Sequence, residues 1–145
     1  MVYLLPDKKY MPLIHSNTNG DEIREIIEGI IRLNYCNNNF TVSRLALILR
    51  ICESHLRDIT NDYFEMSPSK LIESVKIEKA LKSLASGKNV STSARVNGFS
   101  NSRSFRNAFK RRLFITPSEY RGLIASGDKK NNKIVKRYIN LLWKN

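Results

Sequence analysis

Between residues 101 and 112 a set of side chains able to read nucleic-acid bases shares one side of a helix. At about 100° per residue, Arg103, Asn107 and Lys110 lie opposite Phe105, Ala108 and Phe109, with Arg106 on the flank. A guanidinium can bond the edge of guanine bidentately, and a carboxamide can do so with adenine. Each such pair is worth about 1–3 kcal/mol of discrimination. Residues 53–63 repeat the arrangement in weaker form, with Leu56, Ile59 and Tyr63 inside and Ser54, Arg57, Asp58 and Asn61 outside. Glu53, Asp58 and Asp62 against Arg57 leave that segment at −2, whereas residues 101–112 carry +5. A carboxylate facing phosphates is repelled, although it can accept from cytosine N4.

Other chemistries have less support. His15 lies in the arm, His55 reads as a DNA-facing or surface residue rather than a base, and Cys36 and Cys52 lack a paired His. The sequence contains no carboxylate pair, phosphate-binding glycine loop or metal-ligand spacing, so neither an enzyme, a metal nor a cofactor is expected.

The charge distribution agrees with an anionic partner. The chain has 145 residues and a net charge of +12, and residues 100–145 hold 12 basic against 2 acidic residues, or +10 of that total. Such clustering costs self-repulsion and suits nucleic acid or an anionic membrane surface. The longest apolar run, Leu45 to Leu49, is far too short to span a bilayer. No secretory leader is visible, and the expected compartment is the cytoplasm.

The elements that must hold these residues read as all-α. An arm over residues 1–20, with Pro6 and Pro12, precedes a helix capped by Asp21 whose Ile23, Ile26, Ile27, Ile30 and Ile31 recur at helical spacing. A short helix from Ser43 to Leu49, a turn at Arg50-Ile51 and a helix from Glu53 to Tyr63 follow. Ser67-Pro68 opens a long helix to about Ser86, and Ser86-Gly87 ends it. The pattern then returns: a short helix over 91–97, a turn at Gly98-Phe99, Ser100 as N-cap, a helix over 101–112, and a short helix begun by Thr116-Pro117. Residues 127–132 read as a linker before an amphipathic helix over 133–144. The expected organisation is an arm (1–20), a first helix–turn–helix unit (21–67), a linker helix (68–86), a second unit (87–125) and a basic tail with a helix (126–145).

Two pairs of helices, 43–63 and 91–112, thus look like one design used twice. Ala46 and Ala94 supply the small residue where helices cross, and Arg50 and Gly98 follow four residues later at the turn. The stretch Ala94-x3-Gly98-Phe99, Ser102-x2-Phe105-x3-Phe109-Lys110 and Thr116-Pro117-x2-Tyr120-Arg121 resembles the signature of the AraC/XylS family of bacterial transcription regulators. Leu45-Ala46, Leu56 and Met66-Ser67-Pro68 are similar to the family's first unit. Departures are Arg50 for the turn Gly, Cys52 for a capping Ser, and Thr60 for a core Phe. Glu65 and Phe114 replace the Gly before each Ser/Thr-Pro, and Ser93 replaces an apolar residue.

The resemblance implies two recognition helices held by a linker helix, so that one chain meets two successive major-groove segments of double-stranded DNA. Ser102, Arg103, Arg106 and Asn107 match base-facing positions, as do Ser54, Arg57, Asp58 and Asn61 in the first unit. Lys110, Arg111, Arg112 and Arg121 are expected nearer phosphates. The family's common mode is activation through RNA polymerase. Only about 20 residues precede the first helix, too few for a ligand-sensing domain, so the resemblance is to short members governed by abundance or by a protein partner. The competing readings are a protein-interaction module whose DNA binding has decayed, and a basic membrane-surface or non-specific nucleic-acid binder.

Overall fold

The computed structural model describes residues 14, 18–124 and 128–144; most of the arm and Gly127 lie outside them. Eight helices occupy these residues: α1 (Gly20–Asn34), α2 (Val42–Leu49), α3 (Glu53–Phe64), α4 (Pro68–Ala85), α5 (Val90–Val96), α6 (Ser102–Leu113), α7 (Pro117–Ile124) and α8 (Asp128–Trp143). The chain divides within α4 into two compact units, Met1–Val75 and Lys76–Asn145.

In the first unit the isoleucine stripe of α1 is buried together with Phe40, Leu45, Leu49, Leu56, Leu71 and Val75. The cap of α1 is Asn19 rather than Asp21: its side chain accepts from the Glu22 amide at 2.9 Å. Gly20 permits that earlier start, because a Cβ there would stand 2.9 Å from the Tyr63 ring. Asp21 instead adds negative charge to the first turn, where the helix dipole favours it. Arg24 then ties α1 to the end of α3, donating to the Tyr63 carbonyl at 2.9 Å.

Both units repeat one backbone plan. α2 ends at Arg50, which is left-handed at φ 56°, and Ile51 donates back to the Ala46 carbonyl at 3.1 Å. In the second unit Gly98 has φ 88°, and Phe99 donates to the Ala94 carbonyl at 3.0 Å. Helices α3 and α6 each span 12 residues and end at a left-handed residue, Glu65 (φ 56°) and Phe114 (φ 63°). Left-handed geometry costs a non-glycine residue roughly 1–2 kcal/mol. Ser67-Pro68 and Thr116-Pro117 then open the next helices. At the second, the Thr116 hydroxyl accepts from the Glu119 amide while Glu119 accepts from the Thr116 amide. That pairing holds the Glu119 carboxyl below its ordinary pKa.

Measured from the crossing alanine, Ala46 or Ala94, to the next helix cap, the second turn is one residue longer than the first. Cys52 caps α3, its sulfur accepting from the His55 amide at 3.4 Å. The cap of α6 is Asn101, not Ser100, because the chain stays extended through Asn101 and its side chain meets the Ser104 amide at 2.8 Å.

The second unit's core carries a run of ring contacts from Phe99 through Phe105, Phe109 and Tyr120 to Tyr138, with centroids 5.0–5.8 Å apart. The buried Tyr120 hydroxyl donates to the Leu81 carbonyl at 3.2 Å. Residues 128–132, read above as linker, belong to α8. Packing of the apolar side of α8 outweighs the weak helix propensity of Asn131 and Asn132. Leu142 is buried, and Trp143 donates from Nε1 to Glu78 at 2.8 Å. The basic tail thus packs into the core of the second unit. Among the described residues no helix is long and apolar enough to cross a membrane.

Candidate nucleic-acid interface

The inner face of α6 is buried at Phe105, Ala108, Phe109 and Leu113. This fixes the roll of the helix and leaves Arg103, Arg106, Asn107, Lys110 and Arg111 exposed. Ser102 is half-buried, and its hydroxyl lies 3.4 Å from that of Ser91 on α5. Sequence periodicity has no means of finding Ser91, since a lone serine on a short helix gives no signal. Arg112 is also half-buried, and its guanidinium donates to the Leu142 carbonyl at 3.2 Å. That bond joins α6 to the last turn of α8. Arg121 is exposed on α7.

In α3 the buried Leu56, Ile59 and Thr60 set the roll, and Ser54, Arg57, Asp58 and Asn61 are all exposed. Thr60 fills the position of Phe109 in α6, and its hydroxyl donates to the Arg57 carbonyl at 3.2 Å. Counting each helix from its cap puts Ser54 level with Arg103, Arg57 with Arg106, Asp58 with Asn107, and Asn61 with Lys110. The two outer faces therefore share a frame and differ in charge. At the start of α3, Glu53 accepts from the Ser43 hydroxyl at 3.3 Å, so a carboxylate sits level with Ser102 of α6.

His55 is exposed at the start of α3, and Cys36 and Cys52 are exposed free thiols. Among the described residues no group of three or more His, Cys, Asp and Glu side chains is placed to hold a metal ion.

Two helix–turn–helix units presenting these faces define a DNA-binding regulator domain. The family model described as a helix-turn-helix domain matches residues 45–122, more than half of the chain. Similar solved structures include the C-terminal domain of the two-component response regulator yesN from Fusobacterium nucleatum (27% identity, TM-score 0.64, 68% of this chain and 96% of that one). A DNA-binding transcriptional dual regulator from Escherichia coli K-12 is 25% identical (TM-score 0.55, 67% of this chain and 94% of that one). The C-terminal domain of the response regulator AraT from Geobacillus stearothermophilus shares the fold at 20% identity (TM-score 0.66, 75% and 88%). Among curated proteins none matches the chain significantly. The chain belongs to the AraC/XylS-type helix–turn–helix family of DNA-binding transcription regulators, a family of binding proteins rather than enzymes.

Proposed function

We propose that the protein regulates bacterial promoters by sequence-specific binding of double-stranded DNA, with α6 as the main reader. Arg103, Arg106 and Asn107 contact base edges, Ser102 and its neighbour Ser91 line the same end of the helix, and Lys110, Arg111 and Arg121 meet phosphates. Helix α3 presents Ser54, Arg57, Asp58 and Asn61 to a second major-groove segment, adding selectivity more than affinity. The protein acts in the cytoplasm and activates transcription through contact with RNA polymerase, following the family's common mode.

The observation that carries this reading is the exposed cationic face of α6 over a fully buried aromatic one. The membrane-surface alternative is disfavoured by α8, whose Leu142 is spent on the core and whose Trp143 is bonded to Glu78. Mapping of bound genomic fragments tests the proposal. The parent protein is expected to enrich discrete promoter fragments, and R103A/R106A to lose them. Uniform retention of all fragments, unchanged by the double substitution, would overturn it. Binding should also weaken steeply with salt as phosphate contacts release counterions.

A further inference from the structure

The second unit carries a surface that DNA reading does not use. The end of α6, the start of α7 and the outer side of α8 enclose an open groove of about 910 Å³. Phe114 and Leu141 supply apolar contact, and Lys133, Lys136, Arg137 and Lys144 supply positive charge that outweighs the one carboxylate of the lining, Glu119. The base-facing and phosphate-facing residues proposed above do not line it.

Phe114 is the telling residue. Its backbone is left-handed at φ 63°, where glycine costs least and a bulky side chain is an outlier. Its ring is 80% exposed, so it adds almost nothing to the core. Conformation and solvation both count against Phe at this position in the isolated chain. Arg50 and Glu65 share this backbone, but Phe114 alone of the three adds a large exposed ring, and that pairing of strain with apolar exposure points to a binding role. The cationic side of the groove comes from α8, which lies beyond the family-matched residues 45–122.

We propose that this groove docks an acidic amphipathic helix of a protein partner, with apolar side chains on Phe114 and Leu141 and carboxylates on the α8 cations. Charge complementarity selects the acidic character, and the exposed ring selects an apolar anchor, a combination that a phosphate backbone cannot offer. From Lys133 to Lys144 the helix rises about 16 Å, which fits an occupant of three to four turns.

The test uses the full chain and a labelled synthetic peptide of about 15 residues, with Leu and Phe on one helical face and Glu on the other, followed by fluorescence anisotropy. Saturable binding is expected, and a scrambled peptide of the same composition should bind more weakly. F114G should reduce peptide affinity about tenfold, equivalent to about 1.4 kcal/mol, while folding at least as well as the parent and binding DNA unchanged. K136E/R137E should show a similar loss and a flatter salt response for the peptide. Failure of the peptide to bind, equal binding of the scrambled peptide, or indifference to F114G would each overturn the proposal. So would a K136E/R137E loss of DNA affinity as large as the peptide loss, which would make the rim a phosphate contact. Phe114-dependent binding to phosphatidylglycerol vesicles but not to the peptide would assign the groove to a lipid surface.

Discussion

Arg57 and Arg106 occupy the same position in two equivalent helices, so one substitution made twice measures what the surroundings contribute. Arg106 shares its exposed face with Arg103, Asn107 and Lys110, with no carboxylate anywhere on α6. If it reads a guanine bidentately, R106A costs about 1–3 kcal/mol, or roughly 5- to 150-fold in affinity. Arg57 is followed by Asp58 and preceded one turn earlier by Glu53. A unit charge about 6 Å away in water is worth about 0.7 kcal/mol, so the two carboxylates offset much of the attraction between Arg57 and DNA. R57A is therefore expected to cost less than about 1 kcal/mol, under roughly fivefold. Anisotropy titrations at one fixed salt concentration, on an enriched promoter fragment and on random duplex, separate these cases. R106A should lose more on the promoter fragment than on the random one, which marks base reading rather than phosphate contact. Equal losses for R57A and R106A, or an R106A loss identical on both duplexes, would refute the reasoning.

Other expectations follow from the folding chemistry. R50G and E65G each relieve a left-handed non-glycine residue. After the extra unfolded-state entropy of glycine is subtracted, each should stabilise the protein by about 0.5–1 kcal/mol, read as a higher urea midpoint at unchanged slope. The buried Ser93 hydroxyl has no hydrogen-bond partner among the described residues, so S93A should gain about 1 kcal/mol rather than lose it. Burial, and after it the neighbouring Tyr138, pushes the Tyr120 phenol well above its ordinary range. Because the folded value is the raised one, its contribution is intact below about pH 10 and is lost as the pH climbs from there. Urea midpoints across pH 8–11 should fall less steeply for Y120F, and identical slopes would count against this.

Much of the architecture was legible because local chemistry decides it. Gly98 marked a turn that needs positive φ, Phe105 and Phe109 marked the inner side of α6, and Thr116-Pro117 marked the start of α7. The misread features are those that tertiary packing settles. Ser100 and Asn101 are equally good caps by residue type, and the extra residue in the second turn decides between them. The start of α8 looks like linker by propensity, yet it continues a helix whose later turns are held by Tyr138 on Tyr120 and by Trp143 on Glu78 of α4. Ser102 and Arg112 take their expected roles from the resemblance, which is silent on what they touch within the fold. Their partners, Ser91 and Leu142, lie 11 and 30 residues away, where periodicity says nothing.

The bond between Trp143 and Glu78 spans 65 residues of chain and has a consequence for synthesis on the ribosome. The first unit closes its core by Val75, whereas the second is incomplete until Leu142 has emerged. At about 5–20 residues per second the intervening stretch takes roughly 3–13 s. The acidic recognition helix is thus folded on a nascent chain whose cationic counterpart is still unfinished. With α6 as the main reader proposed above, contact with the genome becomes one of the last properties that a newly made molecule acquires.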